Sequence, residues 1–514
     1  MTATRTRYLV RRVIASMVVS LVIGLGLVRA FAMGGTAAPP DRAAAFVPRG
    51  ALVYLNLAND QGSAQWKRGV AALDKLPTLG GLRSTLLGIA QGQGALAKLD
   101  YKPWLGNEAA MAVLPDGSKR VLVLKAKDVR KARQAIDLIP SPGVQSYHGV
   151  QLRDVGHGEL AGIERGFVLA GDGAAVRAAI DAAAGGTSLA SDKTYAELRK
   201  GLPHERLVTG YLSEGWIKSH LGTPAALISA AAHVPSLQAT AISMGATDKR
   251  LELTLRSRPA PGASTACGGN GGDQSGLIDK APARPAAFVS LSGLRCLLGD
   301  AMASPTSGIG KALRNFAVAA QGAGVNVGTE LLPLLSGQSG VSLVPGTDGP
   351  GITLDVAGVP AGKGMDVIGR LQPAIINLLS GGNPDDTPDI STNGVNGVNV
   401  LTTSLASGLK LNYAAFGGDL LVSTDPNGIA TARKGAHLGD SSDFKTLLGD
   451  RPKSTSALVF FDLQKLLVLA DQAGLSSNPT YSAVRDDLQK IGAAGIVLAR
   501  KGKDIDAELR LKLP

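Results

Sequence analysis

The 514-residue chain is poor in aromatic residues, at 4%, and holds only two cysteines and six histidines. Two cysteines exclude a disulfide-dense scaffold. The histidines form no HExxH or i, i+4 pair and there is no CxxC, so no metal and no cofactor is expected. Charged residues are also few, at 18% against 45% hydrophobic, which excludes a disordered chain. With so few rings, the cores must be built from Ala, Val, Leu and Ile.

Catalytic spacings are missing as well. Gly308-Ile309-Gly310-Lys311 lacks the leading glycine of a phosphate-binding loop and has Ala312 where Ser or Thr is needed. Gly337-Gln338-Ser339-Gly340 is out of phase with a nucleophile elbow. Ser442 and Lys445 make a Ser-x-x-Lys without companion motifs, and Ser442-Asp443 reads as a helix start. His148 and His157 lie nine apart near a turn, and the acidic stretch Asn383 to Asp389 lacks EF-hand spacing. Trp104, Trp216 and Tyr211 read as core anchors. No catalytic residue is assigned, and a non-enzyme is expected.

What is present begins at the N-terminus. Arg5, Arg7, Arg11, Arg12 and Arg29 supply about half of the +12 net charge, and the rest is spread along the chain, so nucleic acid is not an expected partner. Val13 to Val28 is uncharged and covers about 24 Å as a helix; extended to Met33 it reaches about 32 Å, enough for a bilayer core if Arg29 snorkels. This predicts a cytoplasmic basic tail (1–12), a single transmembrane helix (13–33) and an extracytoplasmic bulk. The alternative is a signal peptide cleaved after Ala30-Phe31-Ala32, which would release the protein. A Pro/Ala spacer (34–45) follows.

The rest of the chain says nearly the same thing twice. PWLGNEAAMAVLP (103–115) returns as PLLSGQSGVSLVP (333–345), and GFVLAGDGAAVRAAIDAA (166–183) finds its partner in GGDLLVSTDPNGIATARKG (417–435). The period is domain-sized, which predicts tandem repeats over 46–258 and 281–514, joined by a Gly/Pro linker at 259–280. Each reads as a strand, a helical region (65–99 and 309–335), and a hairpin turning at Asp116-Gly117 or Thr347-Asp348-Gly349. Asp128 then caps a helix, with Pro373 inside its counterpart. Asp172 and Asp425 cap later helices, where a carboxylate repels phosphate. The final strands alternate, Leu251, Leu253 and Leu255 against Glu252, Thr254 and Arg256, predicting one buried and one wet face. The fold class is α+β: two tandem copies of an antiparallel sheet with helices. Cys267 in the linker and Cys296 at the end of the second repeat's first strand form a possible disulfide. Closing that loop would contribute roughly 3–4 kcal/mol.

The VPRGALVYLNL and APARPAAFVSLSGL openings, the leucine-glycine step before each hairpin and the strand followed by an Asp-capped helix resemble the bacterial membrane proteins carrying the "domain of unknown function 3352". The resemblance implies an N-terminally anchored, extracytoplasmic, duplicated protein. Its motifs are structural and carry over no site residues. The expected function is non-enzymatic binding or scaffolding in the cell envelope, with an unknown envelope protein as partner. The alternative is a carrier of lipid or another apolar ligand in a cleft between sheet and helices.

Overall fold

The computed structural model describes residues 41–58, 64–74, 101–220, 236–261, 272–303, 308–346, 350–380, 389–395, 397–404, 410–433 and 435–513. The expected transmembrane segment (13–33) lies outside them, as do Cys267, most of the 65–99 helical region, the 347–349 turn and nearly all of the acidic stretch. Among the described residues no helix is long and apolar enough to cross a membrane. The chain divides into two compact units, an N-terminal one that also takes up 501–513, and a C-terminal one over 272–500. Both are α+β with antiparallel sheets.

In the N-terminal unit the strands are β1 (Val53–Ala58), β2 (Leu105–Val113), β3 (Arg120–Ala126), β4 (Val144–Tyr147), β5 (Val150–Gly156), β6 (Glu159–Glu164), β7 (Phe167–Asp172), β8 (Val208–Ser213), β9 (Leu237–Ala246) and β10 (Arg250–Pro259). They lie in the order β4-β5-β6-β7-β3-β2-β1-β8-β9-β10, and the chain's last strand, Asp504–Lys512, pairs with β10. That strand lies within the 281–514 repeat expected from sequence, yet it completes the N-terminal unit. The hairpins β4–β5, β5–β6 and β6–β7 close through two-residue turns, His148-Gly149, His157-Gly158 and Arg165-Gly166. All six residues have positive φ. That is the requirement of the primed turn whose twist matches a hairpin.

The C-terminal unit contains β11 (Ala287–Ser292), β12 (Gln338–Val344), β13 (Gly351–Ala357), β14 (Asp389–Val395), β15 (Val398–Ser404), β16 (Lys410–Phe416), β17 (Asp419–Ser423), β18 (Thr455–Asp462) and β19 (Ala493–Lys501). Their order is β14-β15-β16-β17-β13-β12-β11-β18-β19, all antiparallel. The helices Leu294–Ala303, Gly308–Gly322 and Ala361–Ser380 supply one core with Leu334, Val356 and Tyr413. The helix Ser442–Leu448 closes another over Phe288, Leu458 and Phe460.

Several local expectations change. Asp128 does cap its helix, accepting from the Arg130 and Lys131 amides, and Pro373 lies inside Ala361–Ser380. Asp172 makes no cap bond; its carboxylate instead accepts from the Arg120 amide at 2.7 Å, tying the end of β7 to the start of β3. The linker end is not open chain: Ser275–Ile278 is helical, with Leu277 and Ile278 buried. The polar face of β10 is not wet. Thr254 is 7% exposed and Arg256 5%, because the helix Lys193–Lys200 crosses over it. A Cβ on Gly201, at that helix's end, would meet the Arg256 guanidinium. The face is paired instead of solvated: Arg256 with Asp506 at 3.1 Å, and Arg258 with Glu197 at 3.0 Å. Burial pushes Asp506 up to about 6.

Candidate functional site

The sequence-flagged residues do not converge. Cys296 sits in the helix Leu294–Ala303, beyond the end of β11, and is disulfide-bonded; Cys267 lies outside the described residues. His148 and His157 are turn residues, and the Nε2 of His148 is 3.3 Å from Asp181. His204 is exposed. His220 is exposed and stacks on Trp216 at 4.9 Å. Trp104 and Tyr211 are buried as expected, whereas Trp216 is half-exposed. Ser441 caps the helix that starts at Ser442. Among the described residues, no group of three or more His, Cys, Asp or Glu could hold a metal ion.

Two buried carboxylate clusters were not picked out from sequence. The first belongs to the N-terminal unit. Ala43, Ala44 and Phe46, at and just past the end of the expected spacer, form a buried 3-10 turn, with Asp41 ahead of it. Asp41 accepts from the Tyr54 hydroxyl, the Tyr195 hydroxyl and the Asn56 amide (2.9 Å), and pairs with Arg199 at 3.0 Å. Glu108 accepts from the Ala43 amide at 2.8 Å and from Asn56 at 3.1 Å. Burial, then the Asp41 charge, pushes the Tyr54 and Tyr195 hydroxyls well above the usual tyrosine range. Burial likewise pushes Glu108 up to about 7, against the Ala43 amide. The signal was present: Asn56 and Glu108 stand inside strands whose other side chains are mostly apolar, and a buried polar group requires a partner.

The second cluster belongs to the C-terminal unit. Asp355 stands in the middle of β13, 8% exposed, and neither carboxylate oxygen has a hydrogen-bond partner. Asp419, at the start of β17, is 4% exposed and bonded by the Lys280 ammonium. Asp355 pairs in register with Leu421 and Ala357 with Asp419, so both carboxylates project from the same face of the sheet. Burial first, then the Asp419 charge, pushes Asp355 up to about 7, with Lys280 opposing.

Residues 13–511 match the family described as "Protein of unknown function (DUF3352)". The chain belongs to that family. The match takes in both units, so the resemblance read from the strand openings and hairpins holds over nearly the whole length. No curated protein matches the chain. Among solved structures, crystal form I of TP0453 matches with a TM-score of 0.27 at 14% identity, over 44% of this chain and 81% of that one. Crystal form III of TP0453 gives 0.25 at 12% identity, over 44% and 82%. Likenesses at these scores carry no argument for this family member.

Proposed function

We propose that the protein is held in the cell membrane by one helix over 13–33, with its bulk extracytoplasmic, and that it binds or scaffolds other envelope components without catalysis. The observation that carries this reading is the grip on Asp41. Only the seven residues 34–40 separate the arginine-flanked apolar run from the buried network. Seven residues span at most about 25 Å, so a unit docked this way would stand close to the bilayer. In that network Asp41 and Glu108 are engaged in joining β1, β2 and the helix Lys193–Lys200, a task of assembly and not of turnover.

Fractionation with external protease tests the anchor: full-length protein should pellet with membranes and lose its C-terminal units to protease added outside. Recovery from the soluble fraction, shortened after Ala32, would replace the anchor with secretion. Cross-linking in intact envelopes followed by affinity capture tests the binding role. Substrate turnover abolished by a single polar substitution would overturn it.

The two units are further proposed to be copies of one fold. The order β4-β5-β6-β7-β3-β2-β1-β8-β9 corresponds strand for strand to β14-β15-β16-β17-β13-β12-β11-β18-β19. Pro48 and Pro282 also open them through equivalent bridges, to Ser188 and His437.

A specific observation favours the apolar-carrier reading as a second one. The helix Leu294–Ala303 has no fully buried residue, and Leu294, Leu298, Met302 and Phe316 are only half-covered. Mass spectrometry of organic extracts from the purified protein should then find stoichiometric lipid, and a lipid-free preparation would exclude it.

A further inference from the structure

We propose that Asp355 and Asp419 form a buried proton-binding site whose occupancy controls how firmly Lys280 holds the segment leading into β11. Three observations carry it. Asp355 is more than nine-tenths buried, with both oxygens lacking a donor, on the sheet face that also carries Ala357 and Phe288 of an apolar core. Register sets Asp419 two residues along on the neighbouring strand and the same face, a diagonal of about 7–8 Å between backbones. Lys280, two residues past the helix Ser275–Ile278, bonds Asp419.

The fold does not require these charges. Matched through the registers of β3–β7 and β13–β17, Asp355 corresponds to Val123 and Asp419 to Phe167. Matched through the proline bridges, Lys280 corresponds to Phe46. In the N-terminal unit that contact is a pair of rings 4.9 Å apart. An ion pair with a second carboxylate therefore stands in the C-terminal unit where an apolar contact serves in the other.

The charge balance explains what the site does. Two carboxylates facing one ammonium leave one excess negative charge in buried ground, and a proton on Asp355 removes it. The neighbouring strands add no titratable group on this face: β12 presents Gly340 and Ser342, and β11 presents Ser290. When the proton leaves, Asp355 competes with Asp419 for the Lys280 ammonium. The cost of the bare carboxylate then falls on the folded state.

The experiment compares thermal unfolding of the full chain in detergent with that of its Asp355→Asn variant, from pH 4 to pH 9. Because the proton is held more tightly in the folded state, the variant's advantage should grow by nearly tenfold in folding equilibrium constant per pH unit between about 4 and 7. It should stay flat above. Lys280→Met should move the upper end of that window to higher pH and Asp419→Asn to lower pH. A pH-independent difference overturns the proposal. An upper end that shifts when sodium replaces a bulky organic cation overturns the proton in favour of a metal cation. Carbon-13 spectra of carboxyl-labelled protein give a direct readout: the aspartate resonance that the Asp355→Asn variant loses should titrate near neutrality, apart from that of Asp506 near 6, and a lost resonance that titrates in the ordinary carboxylate range refutes the site.

Discussion

The Asn56 side-chain amide donates to Glu108 Oε1 at 3.1 Å while its other hydrogen reaches Asp41 Oδ1 at 2.9 Å. One neutral side chain thus separates two carboxylates and fixes both. Asp41 in turn collects two tyrosine hydroxyls and Arg199, so four segments far apart in sequence meet at one buried atom group. An asparagine there keeps one carbonyl oxygen but has no charge and an NH2 in place of the second acceptor, so Arg199 loses its counter-ion and the donors share one oxygen. Asp41→Asn should destabilise the N-terminal unit by about 2–4 kcal/mol. Asp192→Asn is the control: Asp192 also caps a helix, at Tyr195, but its ion partner Arg49 is well exposed. That variant should cost about 1 kcal/mol or less. Denaturant midpoints measure both, and equal losses would show that Asp41 is no hub.

Glu108 predicts a pH dependence of a definite sign. Its folded-state affinity for protons is raised to about 7, chiefly by burial. The folded state therefore binds more protons than the unfolded one across the window between the ordinary glutamate range and 7. Glu108's contribution is most favourable below that window and is lost as pH rises through it. Glu108→Gln keeps an acceptor for the Ala43 amide and removes the titration. Its unfolding midpoint should approach or pass that of the wild type as pH goes from 5 to 8. A constant offset across that range would mean that Glu108 stays ionised throughout.

How far this was legible from sequence depends on range. Asp116-Gly117 and the alternating runs on either side specify a local hairpin, and β2 and β3 follow it, with Asp116 accepting from the Ser118 and Lys119 amides. Asp41 was read as part of a Pro/Ala spacer because its partners lie 13 to 158 residues away in the chain, at Tyr54, Asn56, Tyr195 and Arg199. The alternation of β10 correctly separated leucines from charges, yet alternation reports which residues share a face, not what covers it. A helix crossing the polar face turned a wet surface into buried ion pairs. Asp355 in GITLDVA was a visible anomaly, a charge inside an apolar strand, and its meaning needed Lys280 and Asp419 from two other segments.

Two glycines separate crowding from conformation. Gly171 has φ +139°, and a Cβ there would lie 2.4 Å from the Arg120 carbonyl oxygen, backbone that β3–β7 pairing holds in place. Gly186, the left-handed cap of Gly173–Gly185, has φ +94° and open space around it. Gly171→Ala should cost about 3 kcal/mol or prevent folding, combining strain with a clash that cannot relax. Gly186→Ala carries strain alone and should cost about 1–2 kcal/mol. If the two lose the same amount in chemical denaturation, the close approach of β7 to Arg120 is not as described.

The His157-Gly158 turn offers a gain instead of a loss. His157 holds φ +56° at the first position of a two-residue hairpin, a conformation that a histidine adopts at some cost. Asparagine and glycine are the residues that this turn favours, because their short or absent side chains tolerate the left-handed region. His157→Asn should therefore stabilise the N-terminal unit, by roughly 0.5 kcal/mol. The same change at His148 should gain less, since it also removes the contact with Asp181. Thermal midpoints of the two variants make the comparison. A loss at position 157 would mean that the imidazole there serves a contact beyond the turn.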